Sequence, residues 1–288
     1  MVLLVGEQPA PNLLPVRHYK PRGVILVYSD FTARIAGNLQ EVLQTRLCIK
    51  CQVPAYDIKR VREVLTGVLE KHGWQGHDLV FNLTGGTKLM MLAAYSVAQE
   101  MGSRCLYLVS EKGQSEVHRF GFKGGSFVRM PPERIATTIT LDDHLRVYVG
   151  GYRSQAPRDE FERAVVEKLR PRSSPIEEIV TDVRPLATSG LEIDALVRIG
   201  NQVGVLEIKK RADKRGIDQL TTAASREYLG TYVRKFLIAA NKVGPPTERL
   251  ARAHGIQIIE LLSYGRAGRL TADDTSKLRL SIQQAMAG

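Results

Sequence analysis

Short apolar runs alternate with amphipathic stretches through the first half of the chain. Residues 2–5 (VLLV) lead into PAPNLLPVRHY, and residues 24–28 (VILVY) lead into 31–45, where Ile35, Leu39, Val42 and Leu43 fall on one helical face. CIKCQVP precedes 57–71, with Ile58, Val61, Leu65 and Leu69 at helical spacing; LVFNL (79–83) precedes a helix over about 87–101, and RCLYLVS follows. Apolar runs of strand length separated by segments of period 3.6 predict a parallel sheet with helices on both faces. Residues 115–130 predict a hairpin, EVHRF and SFVRM flanking GFKGG.

Residues 150–158 (GGYRSQAPR) have the composition of a linker. The expected division is 1–149, a linker at 150–158, and a second domain over 159–288. The pattern beyond the linker is a helix (DEFERAVVEKLR), three strands (EEIVTDVRPL, LEIDALVRIG, QVGVLEIKK), a helix (IDQLTTAASREYLG), the strand KFLIAA, a helix near 246–254 and the strand IQIIEL. Repeats and low-complexity tracts are absent.

The 288 residues suit two ordinary domains, and 43% hydrophobic content suits packed cores. The net charge of +11 is shared between the two halves, so it points to polyanionic partners without locating them. Three cysteines, Cys48, Cys51 and Cys105, fit reduced thiols. In CIKC the pair lies three apart in a strand, on opposite faces, which argues against zinc. No run has the length of a membrane helix, so a cytoplasmic protein with no membrane partner is expected. The histidines, His118 and His144 among them, show no ligand spacing.

Asn82 and Thr84 end an apolar strand, and Gly85, Gly86, Thr87 and Lys88 open a helix. Beyond the carboxyl end of a parallel strand, free N–H groups and a helix N-terminus favour an anion. The glycines are adjacent, so this is neither a triphosphate P-loop nor a dinucleotide fingerprint. The loop reads equally as a capped strand–helix turn or as a phosphodiester cradle.

NLTGGTK after a strand, LLVGEQPAPNLLP at the first strand and VILVYSD at the second together resemble a CARF domain, the cyclic-oligoadenylate sensor of type III CRISPR defence. The resemblance implies a Rossmann-like sensor and a ligand lying across a homodimer two-fold axis. It would be lined by Gly6, Glu7, Gln8, Pro9, Ser29, Asn82 and Thr84 through Lys88.

In the second half, Asp194 and Glu207-Ile208-Lys209 lie on consecutive strands. Residues two apart share a strand face, so Glu207 and Lys209 point together and a hairpin brings Asp194 beside them. Paired carboxylates hold a hard divalent cation, which neutralises a phosphodiester and acidifies bound water, while a lysine stabilises developing charge. A solvated strand edge would show the same E-x-K. The run KKRADKR (209–215) reads as a solvated loop or a phosphate clamp. Helix, strand, D-strand, E-x-K strand and a helix carrying Gln219 resemble the PD-(D/E)xK nuclease core, with Ile193 where the family name has proline. The resemblance implies a restriction-endonuclease-like α/β domain with a mixed sheet. It implies Asp194 and Glu207 as ligands of Mg2+ or Mn2+, Glu162 as an accessory ligand (Glu160 its rival), Lys209 as catalytic and Gln219 as a helper.

Sensor followed by nuclease resembles the CRISPR-ancillary nucleases of the Can and Card type. That implies a homodimer activated by cyclic oligoadenylate, foremost cyclic tetra-adenylate, which cuts single-stranded DNA or RNA or nicks duplex DNA. The rivals are a constitutive restriction- or repair-type endonuclease and a non-enzymatic, ligand-responsive nucleic-acid-binding regulator.

Overall fold

The computed structural model describes residues 1–74, 78–111, 114–136, 139–170, 175–188, 190–225, 228–230 and 233–287. The chain divides into two compact units, Met1–Ile139 and Thr140–Gly288.

The first unit is built on β1 (Val2–Leu4), β2 (Gly23–Tyr28), β3 (Leu47–Gln52), β4 (Val80–Asn82) and β5 (Arg104–Glu111), with α1 (Ala10–Tyr19), α2 (Ala33–Leu43), α3 (Ile58–Lys71) and α4 (Lys88–Glu100) between them. The strand order is β3-β2-β1-β4-β5, all parallel, continued by antiparallel β6 (Gln114–Lys123) and β7 (Ser126–Arg129); β8 (Glu133–Ile135) also pairs with β6. Val2, Leu3 and Leu4 are completely buried. A short all-apolar run can be satisfied only as a central strand covered on both faces. Val2, Leu4, Ile25, Val27 and Phe81 form a core with Val61, Leu65 and Leu69 of α3 and Met90, Ala93 and Val97 of α4. Helices α1 and α2 pack against each other.

The expected hairpin forms with a tighter turn. Strand β6 runs on through Phe122 and Lys123, and only Gly124 and Gly125 turn, at φ of 58° and 81°. Two successive positive-φ glycines are what a two-residue hairpin loop needs.

The second unit has α5 (Leu141–Val149), β9 (Tyr152–Arg153), α6 (Glu160–Leu169), β10 (Glu178–Pro185), β11 (Ile193–Ile199), β12 (Gln202–Lys209), α7 (Lys214–Ala223), β13 (Arg234–Ala239), α8 (Pro245–Ala253), β14 (Ile256–Glu260), α9 (Leu262–Ala267) and α10 (Ala272–Ala287). Its sheet runs β14-β13-β12-β11-β10-β9 and is mixed: β9 to β12 pair antiparallel, β12 to β14 parallel. One core gathers Leu145 of α5, Ile217 and Leu220 of α7 and Ala251 of α8 against Leu196 and Val205. A second gathers Phe161 and Val165 of α6 and Leu278 and Ile282 of α10 against Ala195, Leu206 and Phe236.

The division between units falls ahead of α5, and the stretch 150–158 lies within the second unit. Gly150 caps α5, the Tyr152 hydroxyl donates to Asp142 at 2.9 Å, and β9 pairs with β10. A glycine pair signals a turn equally well inside a unit and between units. Among the described residues no helix is long and apolar enough to cross a membrane.

Candidate functional site

In the first unit the strand order reverses between β1 and β4, which lie side by side. This is a topological switch point, and the glycine-rich residues stand at its carboxyl edge, where open α/β sheets bind ligands. The two strand ends touch through backbone. A Cβ on Gly85 would stand 2.0 Å from the Leu4 carbonyl oxygen, and one on Gly6 3.0 Å from the Gly86 nitrogen. Gly86 has φ of 72°.

Hydrogen bonds fix the loop. Asn82 is fully buried; its amide donates to the Pro11 carbonyl at 2.8 Å, and its Oδ1 accepts from the Thr84 N–H at 3.1 Å and the Thr84 hydroxyl at 2.7 Å. Thr84 Oγ1 accepts from the Leu108 N–H at 2.8 Å. The Thr87 hydroxyl donates to the Ala55 carbonyl at 2.6 Å and caps α4 by accepting from the Met90 N–H at 3.2 Å. Asn82 and both threonines therefore shape the loop. Ser29 is buried and engages Thr32, and buried Pro9 caps α1, accepting from the Asn12 and Leu13 N–H groups. Glu7 and Gln8 are half-buried at the same edge, and Lys88 is exposed at the start of α4.

In the second unit, β11 and β12 bring together the residues expected for chemistry. Lys209 Nζ donates to Asp194 Oδ2 at 3.0 Å and stands 2.8 Å from Glu207 Oε1. The second contact is an ion pair only, because Glu207 Oε1 is buried and receives no aligned hydrogen bond. The Ile208 N–H also donates to Asp194 Oδ2, at 2.7 Å. Burial, then the Asp194 carboxylate, pushes the Glu207 carboxyl up to about 7. The same two causes push Glu162 on α6 up to about 7. Burial works against the Lys209 charge, but Glu207 and Asp194 outweigh it and hold the ammonium above its ordinary pKa. Glu162 thus faces the cluster, while Glu160 is exposed. Gln219 is exposed on α7, and it is not joined to the cluster by a hydrogen bond.

Among the described residues, no three His, Cys, Asp or Glu side chains group closely enough to hold a metal ion. The donor set still suits a hard divalent cation in two respects. Glu207 Oε1 is a buried acceptor whose one close partner is the Lys209 ammonium, at 2.8 Å. Three carboxyls crowd one ammonium in a half-enclosed place, and burial together with the neighbouring Asp194 charge raises Glu207 and Glu162, a strain that a cation would relieve. Asp194 and Glu207 are the pair fitted to a cation, with Glu162 within electrostatic reach.

Two contributors escaped the sequence pattern. Gly216 lets α7 approach β12: a Cβ there would stand 3.0 Å from Leu237 Cδ1 and 3.7 Å from Glu207 Cγ. Asp159 caps α6, accepting from the Phe161 and Glu162 N–H groups, and pairs with Lys210 at 2.9 Å. An aspartate directly before a helical pattern is a cap signal, and it fixes the turn that carries Glu162. The basic run is therefore divided: Lys209 enters the cluster, Lys210 holds Asp159, Asp213 caps α7, and Arg211, Lys214 and Arg215 are exposed. His118 pairs with Glu116 at 3.2 Å, and His144 packs on Tyr148, both outside the two sites.

Residues 1–123 match the family model of the Card1 CARF domain. No curated protein is similar to the chain in sequence. Among solved structures, Can2 from Sulfobacillus thermosulfidooxidans in complex with cyclic tetra-adenylate is similar with a TM-score of 0.73 at 16% identity, over 100% of this chain and 97% of that one. The protein VC1899 from Vibrio cholerae is similar with a TM-score of 0.71 at 13% identity, over 100% and 98%. The expected fold class, a Rossmann-like CARF fold with a largely parallel sheet followed by a mixed α/β unit, is the one observed.

Proposed function

We propose that the chain is a cyclic-oligoadenylate-activated, metal-dependent nuclease of CRISPR defence that works as a homodimer on single-stranded DNA or RNA. The observation that carries this reading is the convergence of Asp194, Glu207 and Lys209 in a chain whose residues 1–123 match the Card1 CARF domain. The full-length likeness to a protein solved with cyclic tetra-adenylate supports that ring as the activator.

Asp194 and Glu207 would hold Mg2+ or Mn2+, which supplies charge neutralisation at the phosphate and a water of lowered pKa. Lys209 carries its proton throughout and places a positive charge where negative charge develops on the phosphate. Glu162, held by the capped first turn of α6, adds negative charge beside Asp194. Gly6, Gly85 and Gly86 let backbone approach the activator's phosphates, and Lys88 contributes charge. Gln219, exposed on α7, keeps the helper role that the nuclease-core resemblance implies.

The test incubates labelled DNA and RNA with Mg2+ or Mn2+, with and without each cyclic oligoadenylate. Cleavage that appears only with cyclic tetra-adenylate, and that Lys209→Ala reduces 100-fold or more, is the expected result. Cleavage at one rate regardless of ligand would favour a constitutive endonuclease. Nucleic-acid binding that responds to ligand without cleavage would favour a regulator.

A further inference from the structure

At the opposite, amino end of the first unit's sheet lies a depression of about 570 Å3 lined by Arg17, Lys20, Arg22 and Arg46, together with Gln44 and Thr45. Its lining contains no carboxylate. Arg22 immediately precedes β2 and Arg46 immediately precedes β3, so the hollow sits where these strands begin. Arg17 donates to the Val42 carbonyl at 3.1 Å. Lys20, Arg22 and Arg46 are exposed, and none of their side chains has an ion-pair or hydrogen-bond partner among the described residues.

Part of this charge has a local explanation. Helices α1 and α2 both end at the hollow, with Lys20 and Gln44 in left-handed cap conformations at φ of 46° and 48°. A helix C-terminus carries roughly half a negative charge, so two of them offset about one of the three exposed cations. About two positive charges of the exposed set stay uncompensated around one hollow, a concentration of like charge that attracts an anion. The hollow has the volume of a small-ligand site, about 300–1,000 Å3.

We propose that this depression is a phosphate-binding site that holds consecutive backbone phosphates of single-stranded nucleic acid. The inference shares the nucleic-acid partner of the proposed function but needs neither cleavage nor the cyclic ligand.

The variant is Lys20→Gln/Arg22→Gln/Arg46→Gln in the full chain carrying Lys209→Ala, so that substrate is not cut. Binding of a fluorescent 20-nucleotide DNA and its RNA counterpart is followed by anisotropy from 50 to 200 mM salt, and inorganic tripolyphosphate binding by calorimetry. Each neutralised single-strand phosphate contributes about 0.7 to the log–log salt slope, so losing three contacts lowers the slope by about 2. Over a fourfold change in salt, the parent should lose about 15-fold more affinity than the variant. The thermal midpoint should not fall, because exposed like charges are being removed. Equal slopes and affinities for both proteins would overturn the site. Unchanged oligonucleotide binding with lost tripolyphosphate binding would overturn the strand and assign the hollow to a small polyphosphate. A lower slope, together with no cleavage by the chain with Lys209 intact under any cyclic oligoadenylate, would leave this site standing and refute the nuclease reading alone.

Discussion

Gly85→Ala is the sharpest test of how the glycine loop is built. The added Cβ would stand 2.0 Å from the Leu4 carbonyl oxygen and 3.1 Å from its carbon. Both are backbone atoms of a buried central strand, so no side chain can swing aside. Either β1 or the β4–α4 loop must move by about an ångström. Overpacking of this kind costs about 1–3 kcal/mol. The same Leu4 oxygen accepts from the Asn12 amide at 3.0 Å, and losing that bond adds about 1 kcal/mol. A loss of about 2–4 kcal/mol lowers the unfolding midpoint of a unit this size by about 8–15 °C. Gly37→Ala is the control. It lies inside α2 with nothing within 4 Å of the new Cβ, so it should gain about 0.5–1 kcal/mol through helix propensity. Scanning calorimetry of the three proteins measures both shifts. A Gly85→Ala midpoint within about 2 °C of wild type would refute the close approach of the strand ends.

Lys88→Ala should raise the cyclic tetra-adenylate concentration needed for half-activation about tenfold, the equivalent of one charged phosphate contact, while leaving the maximal rate unchanged; an unaltered activation curve would return Lys88 to a solvated surface role. Asp194→Asn should weaken Mn2+ binding in calorimetry, since it removes one charge from the cation pair, and unchanged affinity would refute the metal assignment. The His144 Nε2 is buried, and burial, offset in part by a hydrogen bond to the Leu229 backbone, pushes the imidazole pKa down to about 4. An unfolded histidine titrates near 6.5, so protonation favours unfolding: this stability is fully present above about pH 6.5 and falls by up to about 3 kcal/mol as pH drops toward 4. His144→Phe should flatten that part of the stability profile measured by urea titration, and an unchanged slope would sink the argument.

Most of the strand–helix alternation was legible because each element carries its own period. The 2–5 run could only be a buried strand, and 57–71 could only be a helix with one apolar face. What the pattern lacked was long-range order. That β1 lies between β2 and β4 is set by pairing with strands about 20 and about 80 positions further on, and it is this adjacency that makes the loop a switch-point site. The stretch 150–158 was ambiguous for a related reason. Tyr152 pairs with β10, whose residues lie about thirty positions further on, and no local signal reports such a bond. The choice between Glu160 and Glu162 needed the phase of α6, which the Asp159 cap fixes. Gly216 was invisible because a glycine in a helix signals close approach only when its neighbour is known.

The glycine loop shows why residue types at a site do not yet give their roles. Threonines beside two glycines read as hydroxyl donors aimed at an anion. In the folded unit, the Thr84 hydroxyl serves Asn82 and Leu108, and the Thr87 hydroxyl serves Ala55 and Met90. Among the described residues, the N–H groups of Gly85, Gly86 and Thr87 donate to no backbone acceptor. Recognition of a phosphate would then rest on backbone N–H groups, the α4 dipole and Lys88, with the side-chain oxygens acting as scaffold. The two arrangements differ in what mutation does. Thr84→Val removes a hydroxyl with two partners and should disturb the fold of the loop before it touches affinity. If Thr84→Val weakened cyclic tetra-adenylate binding at an unchanged thermal midpoint, the hydroxyl would be a contact after all. A lower midpoint, with affinity changed only in proportion, would assign it to the scaffold.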